Sequence, residues 1–247
     1  MRHPELWQPT KYHRHGKAWR GARDRRLLGV GSRLNADRVV AQYERHLPVH
    51  ARGALVDLGC GTVPLYGLYA PHVSSVTCVD WPASVHGAQH VDVQADLAAP
   101  LPLPDAGFDT VILSDVLEHV PEPRHLWREM ARLLRPGGHV LMNVPFLYGL
   151  HELPHDYGRY TSFALRRMAD EVGFEVLLLE PVGGSLHVLA DLLAKHLARL
   201  PVLGGALAAA VQGAVALADR TRAGARFASL SAERFPSGYF LVARRRG

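Results

Sequence analysis

The sequence predicts an α/β fold, a doubly wound and mostly parallel sheet with helices on both faces. Short apolar runs alternate with stretches of helical periodicity along nearly the whole chain. The first strong run, residues 54–58, opens directly into a glycine turn, and the next ends in an acid, Asp80. With 247 residues, 48% of them hydrophobic, the chain can bury a sizeable core. No break in composition divides residues 36–247, which read as one domain behind a basic arm or lid over residues 1–35.

The elements follow in order. Residues 36–47, ADRVVAQYERHL, have the spacing of an amphipathic helix, and Pro48 is expected to end it. ALVDL at 54–58 is a buried strand entering the turn GCGTVP. SVTCVD at 75–80, HVDV at 90–93 and FDTVILSD at 108–115 supply three more strands. Pro121 and Pro123 open a helix that runs to about Leu134, with Leu126, Met130, Leu133 and Leu134 on one face, and the run from Arg135 to Gly138 stops it. GHVLMNVPF is the fifth strand; a helix over 162–172 ends at Gly173, a C-cap residue type. FEVLLLEPV and the terminal SGYFLVARRR complete seven strands. Between the last two lies a helical insertion at 186–231. Strands alternating with helices imply a sheet covered on both faces.

Charge narrows the function class. The net charge is +5, yet residues 1–30 carry eight Lys/Arg against two acids, which leaves the rest near −1. A nucleic-acid binder should carry its basic footprint on a folded face, so nucleic acid is argued against as a partner. The basic start has no apolar core behind it and reads as a solvated terminal segment, not a secretory signal. Trp7, Tyr12 and Trp19 interleave with its charges, which keeps open a lid or an anchor for an anionic surface. Two cysteines, Cys60 and Cys78, do not make a disulfide framework, and a cytoplasmic location is the expectation.

In open α/β sheets, ligands bind at the carboxyl ends of the strands, where Asp57-Leu58-Gly59-Cys60-Gly61-Thr62 and Asp80 stand. Glycines there let a ligand approach the main chain. An acid ending the second strand can accept both hydroxyls of a ribose. The dinucleotide fingerprint requires a third glycine where this chain has Pro64, which counts against a nicotinamide dehydrogenase.

V-D-L-G-C-G-T resembles the first motif of the class I, seven-stranded Rossmann-like methyltransferases that use S-adenosylmethionine. VTCVDW, VQADLAAPLPLPDAGFD, FDTVILSDVLEHVPEP and RLLRPGGHVLMNVPF are similar to the later motifs, in the same order, over about 54–181. The resemblance implies an antiparallel last strand, S-adenosyl-L-methionine as cofactor and a set of contacts. Gly59 and Gly61 would approach its methionine and ribose, Asp57 would support the turn or meet the amino group, and Asp80 would hold the ribose hydroxyls. Asp96 and the Leu97 backbone would meet adenine, and Ser114 and Asp115 would line the floor near the sulfonium. Taken singly, Asp57 also reads as a turn-stabilising carboxylate and Asp96 as a loop acid in water. P-H-D-Y-x-R-Y-T, at 154–161, is similar to a signature of bacterial members that modify small molecules and glycans.

Methyl transfer to oxygen needs a base near neutral pH, for which His is the usual residue. His155 is the first candidate and His119 the second, although His119 could equally cap or pack at the next helix. His151, Tyr157, Arg159 and Tyr160 are candidates for holding the acceptor. Arg159 matches a carboxylate or phosphate but could instead pair internally with Asp156. His151, Glu152, His155, Asp156, Glu118 and His119 are all competent metal ligands, yet H-E-L-P-H contains Pro154 and is not the helical H-E-x-x-H element, so no metal is assigned.

The expected function is methyl transfer to a small-molecule or glycan acceptor, at oxygen. The alternatives are an inactive cofactor-binding scaffold or sensor, and a protein or nucleic-acid methyltransferase; for the last, SDVLEH stands where an N-P-P-Y-like motif would be. The insertion reads as helices packed on the sheet edge or at a homodimer interface, with a weak membrane-surface contact as the alternative.

Overall fold

Pleat alternation sorts the apolar residues of the central strands onto two faces. In the computed structural model, which describes residues 1–247, β3 (Ala54–Leu58) sends Leu55 to one core, and Val56 and Leu58 to the other. β6 (Phe108–Ser114) and β7 (Leu134–Pro145) continue the pattern: Ile112 and Leu141 join Leu55, while Val111, Leu113, Val140 and Met142 join Val56. Each face is then covered. α1 (Arg33–His50) and the one-turn α2 (Tyr66–Tyr69) lie over the Leu55 face. α3 (Pro123–Leu133) and α4 (Ser162–Glu171) lie over the other, where Trp127 and Phe174 meet edge to face at 5.6 Å.

β4 (Ser75–Asp80), β5 (Val93–Gln94), β8 (Phe174–Val182) and β9 (Gly238–Arg245) complete a seven-stranded sheet in the order β5-β4-β3-β6-β7-β9-β8. All neighbours are parallel except those of β9, which runs antiparallel to both β7 and β8. The expected class and the antiparallel last strand are both present. The order reverses direction at β3 and β6, so a crevice opens at their carboxyl ends.

Three local readings change. Pro48 does not end α1, which continues to His50 and closes with Ala51 N–H donating to Leu47 O. A proline in a last turn removes one donor, and Leu47 and Tyr43, both fully buried, hold the turn against the sheet. The third strand is two residues long and begins at Val93, not His90. Arg135 to Gly138 do not stand apart from the fifth strand: they bulge within β7, whose register against β6 shifts between Phe108 and Thr110.

The basic start is folded rather than solvated. A hairpin, β1 (Tyr12–His15) with β2 (Ala18–Gly21), packs on α1, with Tyr12, Ala22, Leu28 and Val30 buried. The hairpin's Arg14, Lys17 and Arg20 face water, while ahead of it Trp7 packs at 5.2 Å against Tyr66, the rings tilted by 57°, and donates its indole N–H to Val63 O at 3.0 Å.

The insertion forms three helices, α5 (Ser185–Leu197), α6 (Gly204–Ala218) and α7 (Arg222–Ala232). α6 carries no charged residue, and its one polar side chain, Gln212, is buried, accepting from Leu34 N–H at 3.1 Å and donating to Gly31 O. No helix is long and apolar enough to cross a membrane. Cys60 and Cys78 are both buried free thiols.

Candidate active site

The glycine turn after β3 is held in a left-handed conformation at three points: Gly59 at φ 70°, Gly61 at φ 52° and Val63 at φ 51°. A β-branched residue adopts that region only where its surroundings force it, and Val63 is fully buried with its carbonyl taken by Trp7. Gly59 and Cys60 donate their N–H groups to Val79 O at 2.9 and 3.0 Å, which ties the turn to the end of β4.

Asp57 and Asp80 end adjacent strands and have different environments. Asp57 points toward α2 and accepts from the Tyr69 hydroxyl at 3.0 Å. Burial raises its pKa to about 7, with the nearby Asp80 adding to the rise and the Tyr69 bond opposing it. An unfolded Asp titrates near 3.9. The folded chain therefore holds a proton on Asp57 that the unfolded chain releases. The associated stability is present below about pH 4 and is lost as the pH rises through about 7. Asp57→Asn removes this dependence. Between pH 5 and pH 8 the denaturation midpoint of the wild type is expected to fall relative to that of the variant. Parallel profiles would refute the assignment.

Asp80 accepts from Trp81 N–H through Oδ1 at 2.9 Å, while its Oδ2 is buried with no partner. An orphaned carboxylate oxygen is costly unless a ligand satisfies it. Asp96 is exposed and accepts from Ala98 N–H at 2.9 Å, so its side chain shapes a turn; Leu97 beside it is buried.

At the ends of β6 and β7, Ser114 and Asn143 extend the α1 face of the pleat. Asp115 follows at φ 56°, another left-handed residue without a glycine. Its Oδ1 accepts from Asn143 Nδ2 and its Oδ2 pairs with Lys11 Nζ at 3.0 Å. Lys11 comes from the segment that precedes the sheet, so the arm contributes to the site floor. A pocket of about 170 Å³ opens here, lined by Lys11, Asn35, Asp115, Asn143, Tyr148 and His151 among others. Behind it, Lys195 of α5 places its ammonium 3.4 Å from the Tyr148 ring centroid and pairs with Asp191 at 2.7 Å.

The loop after β7 folds back on the turn after β6. Tyr157 and Gly158 donate their N–H groups to Glu118 O, and Tyr160 donates its hydroxyl to Leu117 O at 3.3 Å. His119 and His151 meet, Nε2 to Nε2, at 3.2 Å. His155 stands apart from this pair. Its ring packs edge-on against Trp81 at 5.0 Å, and its Nδ1 lies 3.1 Å from the Tyr157 hydroxyl. Tyr157 itself is exposed. Arg159 spends its donors on a two-pronged pair with Asp156, at 2.5 and 2.8 Å, and on the carbonyls of Gly158, Tyr148 and Gly149. The internal pairing weighed from the sequence is the arrangement found. That pair holds the Asp156 carboxyl down to about 2.

A methyltransferase-domain family matches residues 56–142, the span from β3 through most of β7. A Mycolicibacterium smegmatis protein named as a probable S-adenosylmethionine-dependent methyltransferase is 30% identical over 199 residues, 70% of this chain and 72% of that protein. The chain belongs to the S-adenosylmethionine-dependent methyltransferases. This methyltransferase is also 29% identical over 170 residues to the ubiquinone biosynthesis O-methyltransferase of Chromobacterium violaceum, across 57% of the chain and 72% of that relative. To the 27-O-demethylrifamycin SV methyltransferase of Amycolatopsis mediterranei it is 33% identical over 108 residues, a match spanning 39% of the chain but only 40% of that relative's length. The crystal structure of an S-adenosylmethionine-dependent methyltransferase from Mesorhizobium loti shares the fold, with a TM-score of 0.54 at 18% identity over 86% of this chain and all of that one.

The glycine turn expected from the sequence of this methyltransferase stands at the end of β3, whereas Lys11, Asn143 and Tyr148, which line the pocket, were not among the expected site residues. Nothing local marks Lys11 among eight basic residues; only its docking singles it out. Asn143 carried a signal, a polar residue inside an apolar strand.

Proposed function

We propose that the chain transfers the methyl group of S-adenosylmethionine to a hydroxyl oxygen of a small-molecule or glycan acceptor seated in the pocket above Asp115. The observation that carries this reading is the pocket itself. Its floor residue Asp115 precedes Val116, which lies against Gly59 of the glycine turn, and its lining mixes Lys11, Asn143, Tyr148 and His151 with apolar walls from α1. The oxygen preference is supported by the names of two relatives, which act at oxygen.

The cofactor residues fit the group they would hold. Asp80 Oδ2 would receive the ribose hydroxyls, the left-handed Gly59 and Gly61 leave the main chain open toward the methionine portion, and the Leu97 backbone would meet adenine. Asp57, bonded to Tyr69, supports the turn from behind. When bound, the cofactor supplies a methyl carbon already activated by positive sulfur. The protein's own task is alignment, which can contribute roughly 7–11 kcal/mol of the barrier. Asn143 and Lys11 fix Asp115 from both sides, and Asp115 in turn fixes the floor on which the acceptor oxygen would lie. The acceptor's proton is taken toward His151, which lines the pocket and faces His119; this moves the base assignment from His155 to that pair. Residues 1–35 act as a lid whose Lys11 reaches the floor.

The test is radiolabelled methyl transfer to a panel of phenols, polyketides and reducing sugars. Lys11→Ala is expected to raise the acceptor KM about tenfold, with cofactor affinity by calorimetry unchanged. An unaltered KM would remove Lys11 from the acceptor site, and a panel methylated only at nitrogen would overturn the oxygen assignment.

A further inference from the structure

Glu118 is fully buried, and neither of its carboxylate oxygens has a hydrogen-bond partner. Two imidazoles stand beside it: its Oε1 lies 3.7 Å from His119 Nε2 and 3.5 Å from His151 Nε2. The two Nε2 atoms are 3.2 Å apart. These three donor atoms converge on one point, although Glu118 and His119 come from the turn after β6 and His151 from a loop 32 residues later.

The outer nitrogens decide what the inner ones can be. His119 Nδ1 lies 2.7 Å from the carbonyl oxygen of His155, so that nitrogen carries the proton. His151 Nδ1 faces Gly149 O at 3.3 Å and Asp156 Oδ2 at 3.4 Å, again acceptors. Asp156 is locked by Arg159 and also accepts the His151 N–H at 3.0 Å. Both rings thus present Nε2 lone pairs to each other and to a buried carboxylate. A fully buried carboxylate and two partly buried imidazole lone pairs at this spacing repel unless a cation sits among them.

The geometry points to a divalent transition-metal site of the zinc class, held by Glu118 Oε, His119 Nε2 and His151 Nε2. Zinc takes imidazole nitrogen at about 2.0–2.1 Å in tetrahedral sites, which separates two such ligands by about 3.3–3.4 Å, close to the observed spacing. The donor set of two imidazoles and one carboxylate selects zinc, cobalt or nickel over magnesium or calcium, which prefer all-oxygen shells. Ligating histidines almost always donate their other N–H to a carbonyl or carboxylate, which is the arrangement of both rings here. Three protein ligands leave a fourth position, the pattern of sites that bind an exchangeable oxygen. The site rests on the proposed function and refines it: His151 lines the acceptor pocket, and with a metal bound His151 and His119 would be ligands rather than the base, the metal itself lowering the pKa of a bound hydroxyl. The earlier assignment of no metal rested on H-E-L-P-H; the fold instead takes one residue of that element and joins it to the Glu-His pair after β6.

The test uses the full chain, stripped with chelator and titrated with Co²⁺. One equivalent is expected to bind with micromolar or tighter affinity and to give the intense visible absorption of a four-coordinate site. Zn²⁺ should displace it. His151→Ala, in a surface loop, and Glu118→Gln should each weaken Co²⁺ binding at least tenfold, while S-adenosylmethionine affinity by calorimetry is retained. His155→Ala, whose ring is outside the cluster, should leave the spectrum unchanged. A wild-type protein that binds S-adenosylmethionine but no stoichiometric Co²⁺ or Zn²⁺ overturns the proposal, as does wild-type Co²⁺ affinity in His151→Ala. Methyl transfer by the stripped protein would leave the proposed function standing and remove the metal from it.

Discussion

Asp80→Ala is expected to weaken S-adenosylmethionine binding by one to two orders of magnitude while the fold survives. The reasoning starts from the orphaned Oδ2. In the free protein this oxygen is buried and unpaired, so its desolvation cost is already present in the folded state. Ribose hydroxyls would satisfy it, and hydrogen bonds to a charged acceptor contribute roughly 1.5–3 kcal/mol each. Truncation removes those bonds from the complex and relieves the free protein of a buried charge, losing within it only the bond from Trp81 N–H. Calorimetry and thermal melting together check the claim. Affinity within twofold of wild type, with melting unchanged, would mean that Asp80 does not hold the ribose.

Gly59→Ala and Gly61→Ala are expected to differ sharply. Both glycines are left-handed, so each alanine meets a backbone penalty of about 1–2 kcal/mol. At Gly59 an added Cβ would lie 2.6 Å from Val116 Cγ2 and 2.8 Å from its Cγ1. Val116 follows Asp115, itself left-handed and tied to both Asn143 and Lys11, so it has little room to retreat. The clash would push the end of β6 away from the turn. Gly59→Ala should therefore abolish measurable cofactor binding and lower the melting temperature by several degrees. At Gly61 the nearest atom is His86 Cδ2 at 3.4 Å, an exposed side chain in ordinary contact. Gly61→Ala should cost only the backbone penalty and about tenfold in affinity. Equal effects at the two sites would refute the role given to Val116.

The contrast between those glycines shows where sequence reading ends. G-x-G announces a turn, because two residues without side chains between a strand and a helix have few other uses. It does not reveal that Val116 crowds one of them while the other meets only an exposed imidazole in ordinary contact. The strands were legible for a similar reason. Val56, Val111 and Val140 lie in short runs whose period follows from the pleat. Asp80 was legible by its position at a strand end. His151 and His155, by contrast, have the same residue type, the same loop and a spacing of four. Only the return of the backbone onto Glu118 O separates the ring that meets His119 from the ring that meets Trp81. Pro48 misled because a local rule about helix termination yielded to the burial of Leu47 beside it and of Tyr43 in the preceding turn. In the basic arm the interleaved aromatics, which had kept a lid reading open, outweigh the charge: Tyr12 is buried and Trp7 packs on Tyr66.

The two halves of the site draw on the chain in different ways. Asp57, Gly59, Gly61, Asp80 and Asp115 all lie inside the 56–142 span that matches the wider family. The pocket wall is assembled from Lys11, Asn35, Tyr148, Val182 and Gly238, which are scattered from one end of the sequence to the other. The consequence is a separation of evolutionary labour. On the proposed reading, acceptor choice can drift through changes in the stretch from Lys11 to Val39, the β7 loop and the facing ends of β8 and β9, while the proposed cofactor turn stays under its own selection. A chimera that exchanges those outer segments with a relative's, on an unaltered 54–145 frame, is the natural unit for redirecting this enzyme to a new acceptor.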